Sequence, residues 1–156
     1  MDIVEPETRS RMMAVIKGRN TKPEMVVRKA LHAAGFRYRL HDKRLPGKPD
    51  IVLPKWRAVV LIHGCFWHRH PGCRFATTPA SNPEFWQRKF DDNVERDRRD
   101  ELELGTLDWR VAVVWECQLK SGRAPRTVSK LAEWLQSPSH WHFQLAADEF
   151  HASPTG

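Results

Sequence analysis

Apolar residues recur along the chain with two different periods, and the switches between them predict the order of elements. Residues 8–17 (TRSRMMAVIK) carry a short helical pattern. Thr21 and Glu24 then stand at the spacing of a capping box, with Thr21 as N-cap and Glu24 three residues on. The helix they open is expected to turn Met25, Val26, Leu31 and Ala34 towards a core and to stop at Gly35. Residues 36–41 (FRYRLH) alternate apolar and basic, the pattern of a half-buried strand. A turn at 45–49 precedes a strand that begins at Asp50. After a second turn at Pro54 and Lys55, residues 58–62 (AVVLI) form a continuous apolar run suited to a central strand.

Residues 63–80 have no period and are crowded with His, Cys, Pro and Gly. A long helix is predicted over 83–104, with Ser81 and Glu84 as a second capping box and Gly105 as its stop. Its highly charged middle, DDNVERDRRD, reads as a solvated face. A buried strand over 110–115 and a helix over 125–136 complete the pattern, and the chain from Pro138 onward is expected to be irregular. Three strands joined by short turns favour an antiparallel meander, and the strand after the long helix can join in parallel through a crossover. The expected fold class is therefore α/β in a single domain spanning 1–156. Many unrelated activities share that pattern, so it names none of them.

Charge narrows the field. The 26 Lys and Arg exceed the 19 Asp and Glu, leaving a net charge of +7, which favours a polyanionic partner and nucleic acid above all. A membrane partner is not expected, because no apolar run approaches the roughly 20 residues that span a bilayer. The polar, acidic start is unlike a signal peptide, and the expected location is the cytoplasm. The three cysteines should there be reduced or bound to metal.

All three cysteines fall at predicted strand ends. Cys65 and Cys73 bracket His70, and Cys117 follows the fourth strand, which returns to the same end of the sheet if strands three and four are neighbours. Three thiolates and one imidazole make a closed tetrahedral zinc site, with no position left for a reactive water. Such a clip suits a loop this poor in apolar residues. His68, two residues before His70, competes for the fourth position.

Candidate chemistry lies beside this cluster. The hairpin brings Asp50 close to residues 62 and 63, where a carboxylate can hold magnesium. His63 and His68 can move protons near neutral pH. Phe66 and Trp67 are adjacent large aromatics in a charged loop, better suited to a nucleic-acid contact than to joint burial. Trp86 alone reads as core.

Together these residues resemble the very-short-patch-repair (Vsr) endonuclease family. The matching strings are Thr8 to Ser10, Met13, Pro23 with Glu24, LPGKPD (45–50), HGCFWH (63–68), Glu84 to Trp86, NVERDRRD (93–100) and Trp115 to Cys117. They cover about residues 6–135.

The resemblance implies a restriction-endonuclease-like core of the PD-(D/E)xK type, a mixed central sheet flanked by helices with a structural zinc site. It also implies a magnesium-dependent, strand-specific nick 5′ to the thymine of a T:G mismatch left by 5-methylcytosine deamination. Carried onto this chain, Asp50 binds the ion and His68 is general base or acid, while Glu24 and His63 hold the hydrated metal. The family commonly has Thr where Ile62 stands, so contact with the ion there is expected through the main-chain carbonyl.

Cys65, His70, Cys73 and Cys117 correspond to the zinc ligands. Phe66, Trp67 and Trp86 correspond to residues entering the major groove, Met13 to one on the minor-groove side, and Lys89 and Asn93 to mismatch contacts. The implied partners are double-stranded DNA carrying the mismatch, other repair proteins and a companion cytosine-5 methyltransferase system at a bacterial nucleoid. Cutting one strand requires only one active site, so a monomer is expected. Two rivals remain on the residues alone: a zinc-stabilised DNA-binding module without catalysis, and a restriction endonuclease cutting both strands of paired DNA.

Overall fold

The computed structural model describes residues 20–145, so the predicted helix over 8–17, Met13 and the extreme C-terminus lie outside the described residues. The elements run α1 (Lys22–Ala33), β1 (Arg39–Leu40), β2 (Ile51–Leu53), β3 (Ala58–His63), α2 (Cys65–His68), α3 (Pro83–Thr106), β4 (Arg110–Trp115), α4 (Ala124–Gln136) and β5 (His142–Gln144). Short 3-10 turns over Pro54–Trp56 and Glu116–Leu119 link β2 to β3 and β4 to α4. The strands lie side by side in sequence order. β1, β2 and β3 pair antiparallel, while β3–β4 and β4–β5 are parallel. The predicted meander with a parallel crossover is what the chain adopts.

Strand alternation sorts the core into two layers. Ile51, Leu53, Ala58, Val60, Ala112 and Val114 face one side, against Val27 and Leu31 of α1 and Val128, Leu131 and Leu135 of α4. Val52, Val59, Leu61, Val111 and Val113 face the other, where they meet Leu104 of α3 and the two buried cysteines Cys65 and Cys117. The buried centre of the sheet explains why 58–62 and 110–115 read as unbroken apolar runs. A parallel ladder covered on both faces needs no polar alternation.

Several expectations shift. In α1 the inward stripe is Glu24, Val27 and Leu31, whereas Met25 and Val26 are only half-buried and Ala34 is exposed. A buried Glu24 sets the rotation of the helix, and a pattern read from apolar residues alone could not register it. Thr21 caps α1, accepting from the Glu24 N–H at 3.4 Å. The Glu24 side chain does not return to the cap, because it is committed elsewhere.

At the start of α3 the cap is Asn82, in a left-handed conformation without a side-chain bond, so Ser81 and Glu84 form no capping box. Gly105 is not the stop of α3 but lies inside it. A Cβ there would stand 3.3 Å from the Trp141 ring, so the glycine admits a close approach of the segment leading to β5. The segment after Pro138, expected to be irregular, supplies β5 as an edge strand on β4.

Candidate active site

The turn at 45–49 delivers Asp50 to the start of β2, opposite the end of β3. Gly47 makes its tightest approach possible: φ is +75°, and a Cβ would come within 2.9 Å of the Asp100 carboxylate on α3. Asp50 Oδ2 then accepts a hydrogen bond from the Ile62 N–H at 2.7 Å across the hairpin. The Ile62 side chain packs into the α1/α4 layer, so this position can serve the cleft only through its main chain.

Around Asp50 the chain forms a cleft of about 210 Å³, lined among others by His41, Lys48, His63, His68, Asp97 and Asp100. Burial pushes the Asp50 acid up to about 7, opposed by the Ile62 N–H and helped by the nearby Glu24 carboxylate. A divalent cation would relieve the same strain by stabilising the carboxylate form.

Glu24 is fully buried and aims its carboxylate at this end of the cleft. Its oxygens meet His41 Nε2 at 2.9 and 3.0 Å, and Oε2 accepts from Arg28 Nη1 at 3.1 Å. Ligand atoms of Glu24, His41 and Asp50 lie within 4.8 Å of one another. The two carboxylates fit a divalent cation, with room in the cleft for water, and His41 adds a nitrogen beside them. His41 had no role in the sequence reading.

On the opposite wall, α2 turns once and presents His68 towards α3. His68 Nδ1 lies 2.6 Å from Asp97 Oδ2. With Nδ1–H donating to that carboxylate, Nε2 is left as the basic nitrogen, the arrangement a proton-transfer histidine needs. The His63 ring stacks on His68 at 4.0 Å and 6°. Burial, followed by the neighbouring His68 and His70, holds His63 well below the usual histidine range. It is therefore a neutral imidazole, and its buried Nδ1 has no partner among the described residues.

Asp97 was also missed. It lies in the charged run that reads as a solvated face, yet Phe90, Asn93 and Leu104 of that helix are buried and Asp97 and Asp100 half-buried along the same side. A polar residue on the inward stripe at helical spacing was the available signal.

Cys65, His70, Cys73 and Cys117 converge behind α2, with one ligand atom from each within 4.8 Å of the others. His70 Nδ1 stands 3.4 Å from Cys117 Sγ and 3.7 Å from Cys65 Sγ. A tetrahedral zinc with bonds of ~2.3 Å to sulfur and ~2.05 Å to nitrogen would separate such ligands by about 3.5 Å. The donor set and spacing therefore fit zinc.

The thiols share their protons unequally. A hydrogen bond from Cys117 brings Cys65 down to about 4. The same contact, with burial, drives Cys117 far up, and burial raises Cys73. Of the two competing histidines, His70 lies with the thiols and His68 with Asp97. Trp115 joins the two sites, stacking on His70 at 4.2 Å and meeting His63 edge-on at 5.1 Å.

Phe66 and Trp67 lie on the turn that carries His68. Their ring centroids are 4.9 Å apart, and Trp86 of α3 is 5.7 Å from Phe66 and 5.9 Å from Trp67. All three are partly exposed, and Phe66 and Trp86 are seated on the buried Phe90. Arg69, left-handed at φ 55°, stacks on Phe90 at 3.9 Å and donates to the carbonyls of Phe66, Ala76 and Thr77, tying the loop down. Lys89 is exposed nearby. Asn93 is buried, and its side chain donates to the Trp67 carbonyl at 3.1 Å, so it positions the aromatic turn.

Residues 1–74 match the family model described as DNA mismatch endonuclease Vsr. The DNA mismatch endonuclease Vsr of Escherichia coli strain K12 is 44% identical over 135 residues, covering 86% of this chain and 85% of that protein. The chain belongs to the Vsr mismatch endonuclease family. The type II nicking enzyme V.XorIIP of Xanthomonas oryzae pv. oryzae is 49% identical over 118 residues, or 76% of this chain and 86% of the relative. V.NmeAIP, a nicking enzyme of Neisseria meningitidis serogroup A, is 51% identical over 120 residues, with coverage of 77% and 85%. Membership makes this Vsr-family chain a DNA endonuclease, a hydrolase of phosphodiester bonds, and implies dependence on a divalent metal. Among the described residues no helix is long and apolar enough to cross a membrane.

Proposed function

We propose that this chain is a single-domain, magnesium-dependent nicking endonuclease with a restriction-endonuclease-like core. It cuts one strand 5′ to the thymine of a T:G mismatch, in very short patch repair. The observation that carries this reading is the cleft itself, with Asp50 tied to Ile62 on one wall and His68 paired with Asp97 on the other. Asp50 and the Ile62 carbonyl would hold magnesium, and Glu24 and His63 would orient its waters. When bound, the ion supplies charge stabilisation at the phosphoryl oxygen and acidifies a water. His68 Nε2 is placed to move the proton, and Asp97 fixes its tautomer and stabilises its charged form. Lys48 and Lys43 line the same cleft and attract the phosphate backbone.

Phe66, Trp67 and Trp86 form the wedge that opens weakened base pairs, with Met13 proposed on the minor-groove side and Lys89 and Asn93 near the mismatch. Zinc at Cys65, His70, Cys73 and Cys117 holds wedge and histidine on one rigid turn. The substrate's origin implies a companion cytosine-5 methyltransferase and other repair proteins in a bacterial cytoplasm, with the enzyme acting as a monomer. The test is a set of duplexes, T:G and C:G, labelled on either strand and incubated with and without magnesium. A magnesium-dependent nick in the thymine strand of T:G alone is expected. Binding without cleavage, or breaks in both strands of C:G, would replace the reading.

Two further outcomes follow from the site. His68→Ala should slow single-turnover cleavage roughly 10²–10⁴-fold, the usual range for a general acid or base. Asp97→Asn should cost about 10–100-fold, as loss of an orienting partner does, with DNA affinity unchanged. Wild-type cleavage by Asp97→Asn would reduce that contact to packing.

Trp67→Ala should weaken T:G binding roughly 5- to 150-fold at fixed salt, since base–aromatic stacking is worth ~1–3 kcal/mol. Matched duplex should bind as before, with the same salt slope, because no cation is removed. Equal losses on both duplexes would assign Trp67 to the zinc loop alone.

A further inference from the structure

His41 is built into the cleft in a way that no role assigned so far explains. Its backbone is left-handed, at φ 47°, a region a β-carbon disfavours. It is tied to the metal-site strand by its N–H, which donates to the Asp50 carbonyl at 3.1 Å. The ring is held against a carboxylate that is completely buried, with Nε2 2.9 and 3.0 Å from the two oxygens of Glu24. Strained conformations of this kind persist where the surroundings over-determine them, and they cluster at functional sites.

The spacing has a simple chemical match. Two adjacent ligands on an octahedral ion with bonds of ~2.1 Å stand about 3.0 Å apart. Nε2 and Glu24 Oε1 are 2.9 Å apart, and an Asp50 oxygen completes a set lying within 4.8 Å, so on this spacing Glu24 would meet the ion directly and not only through its waters. Arg28 offsets part of the negative charge on Glu24, so the cluster does not need a trivalent ion. We propose that His41 Nε2 is a nitrogen ligand of the catalytic metal, placed between Glu24 and Asp50 so that the site prefers first-row transition ions such as cobalt(II) to magnesium.

Oxygen donors suit magnesium. An imidazole adds affinity for ions later in the first transition row and little for magnesium. His41→Gln is the informative change, because an amide oxygen can occupy much of the same space and convert the set to oxygen donors.

The inference rests on the reading of the Asp50 cleft as the metal site, and the experiment separates the two. Zinc-loaded protein is titrated with manganese(II) by electron paramagnetic resonance, and the bound ion is then displaced with magnesium or cobalt(II). Wild-type protein is expected to show nitrogen-14 coupling at the bound manganese and to release it at an at least tenfold lower concentration of cobalt than of magnesium. In His41→Gln the coupling should disappear and the preference should shrink to a few-fold, with magnesium affinity retained. No nitrogen coupling in the wild type, or an unchanged preference in His41→Gln, would overturn the role of His41. Manganese binding that survives in Asp50→Ala would instead overturn the location of the site.

Discussion

Cys117→Ser is expected to abolish zinc binding at the proposed thiolate site and to leave the chain without a stable fold. Cys117 and Cys65 are both fully buried, in the layer between the sheet and α3, and neither can turn to solvent to find another partner. Zinc held by three thiolates and one imidazole can supply ~10–16 kcal/mol of apparent folding energy, about the whole stability of an ordinary domain. A serine at 117 removes one thiolate and leaves a buried hydroxyl among thiols. The damage should reach catalysis as well. Cys65 opens the turn that carries His68, and Trp115 touches both His70 and His63.

A variant that fails to fold says little alone, so the companion measurement is made on the wild type. Metal analysis should return about one zinc per chain, and a strong chelator should lower the melting temperature sharply and abolish nicking. Active, folded protein containing no zinc would contradict the assignment.

Asp50→Asn carries the second large effect, in two directions at once. Nicking should be abolished, while mismatch affinity stays within a few-fold, since the wedge is untouched. The metal-free variant should nevertheless be more stable than wild type near neutral pH. Burial raises the Asp50 acid from 3.8 to about 7, so the native state favours its protonated form. That stabilisation is present below about pH 4 and is lost as pH rises to about 7. Asparagine resembles the neutral acid at every pH.

At pH 8, in magnesium-free buffer with zinc retained, the variant should gain on the order of 2 kcal/mol, or roughly 4–8 °C in melting temperature. Near pH 4 the difference should vanish. Added magnesium should raise the melting temperature of the wild type and not that of Asp50→Asn. Equal stability at both pH values would mean that Asp50 is solvated as an ordinary surface acid.

The parts of the site legible in the sequence were those carried by strand ends and tight turns. A proline–aspartate turn entering one strand and a histidine leaving the next meet across a hairpin, so the pattern alone brings Asp50 close to residues 62 and 63. Cysteines at the ends of parallel neighbours return to one edge, which placed Cys117 beside Cys65. The parts that escaped depend on the rotation of helices. Glu24 reads locally as half of a capping box, because apolar spacing assigns the inward face of α1 to Met25 and Val26, and only the family resemblance places it at the metal. Asp97 looked like part of a solvated run, because nothing local reveals which side of a uniformly charged helix faces a cleft. His41 looked like the last residue of an alternating strand, and its left-handed turn towards Glu24 is a tertiary outcome. β5 is too short for periodicity to register, and its pairing requires β4 as a template.

The most direct test of the central claim is single-turnover cleavage of one strand-labelled T:G duplex by wild-type protein and Asp50→Asn side by side, with bound DNA measured in the same samples. The account predicts one magnesium-dependent nick, 5′ to the thymine, from the wild type. It predicts none from Asp50→Asn at equal occupancy of the duplex. A nick of normal rate and position from Asp50→Asn would contradict it, because the cleft between Asp50 and His68 would then not be where the phosphodiester is cut.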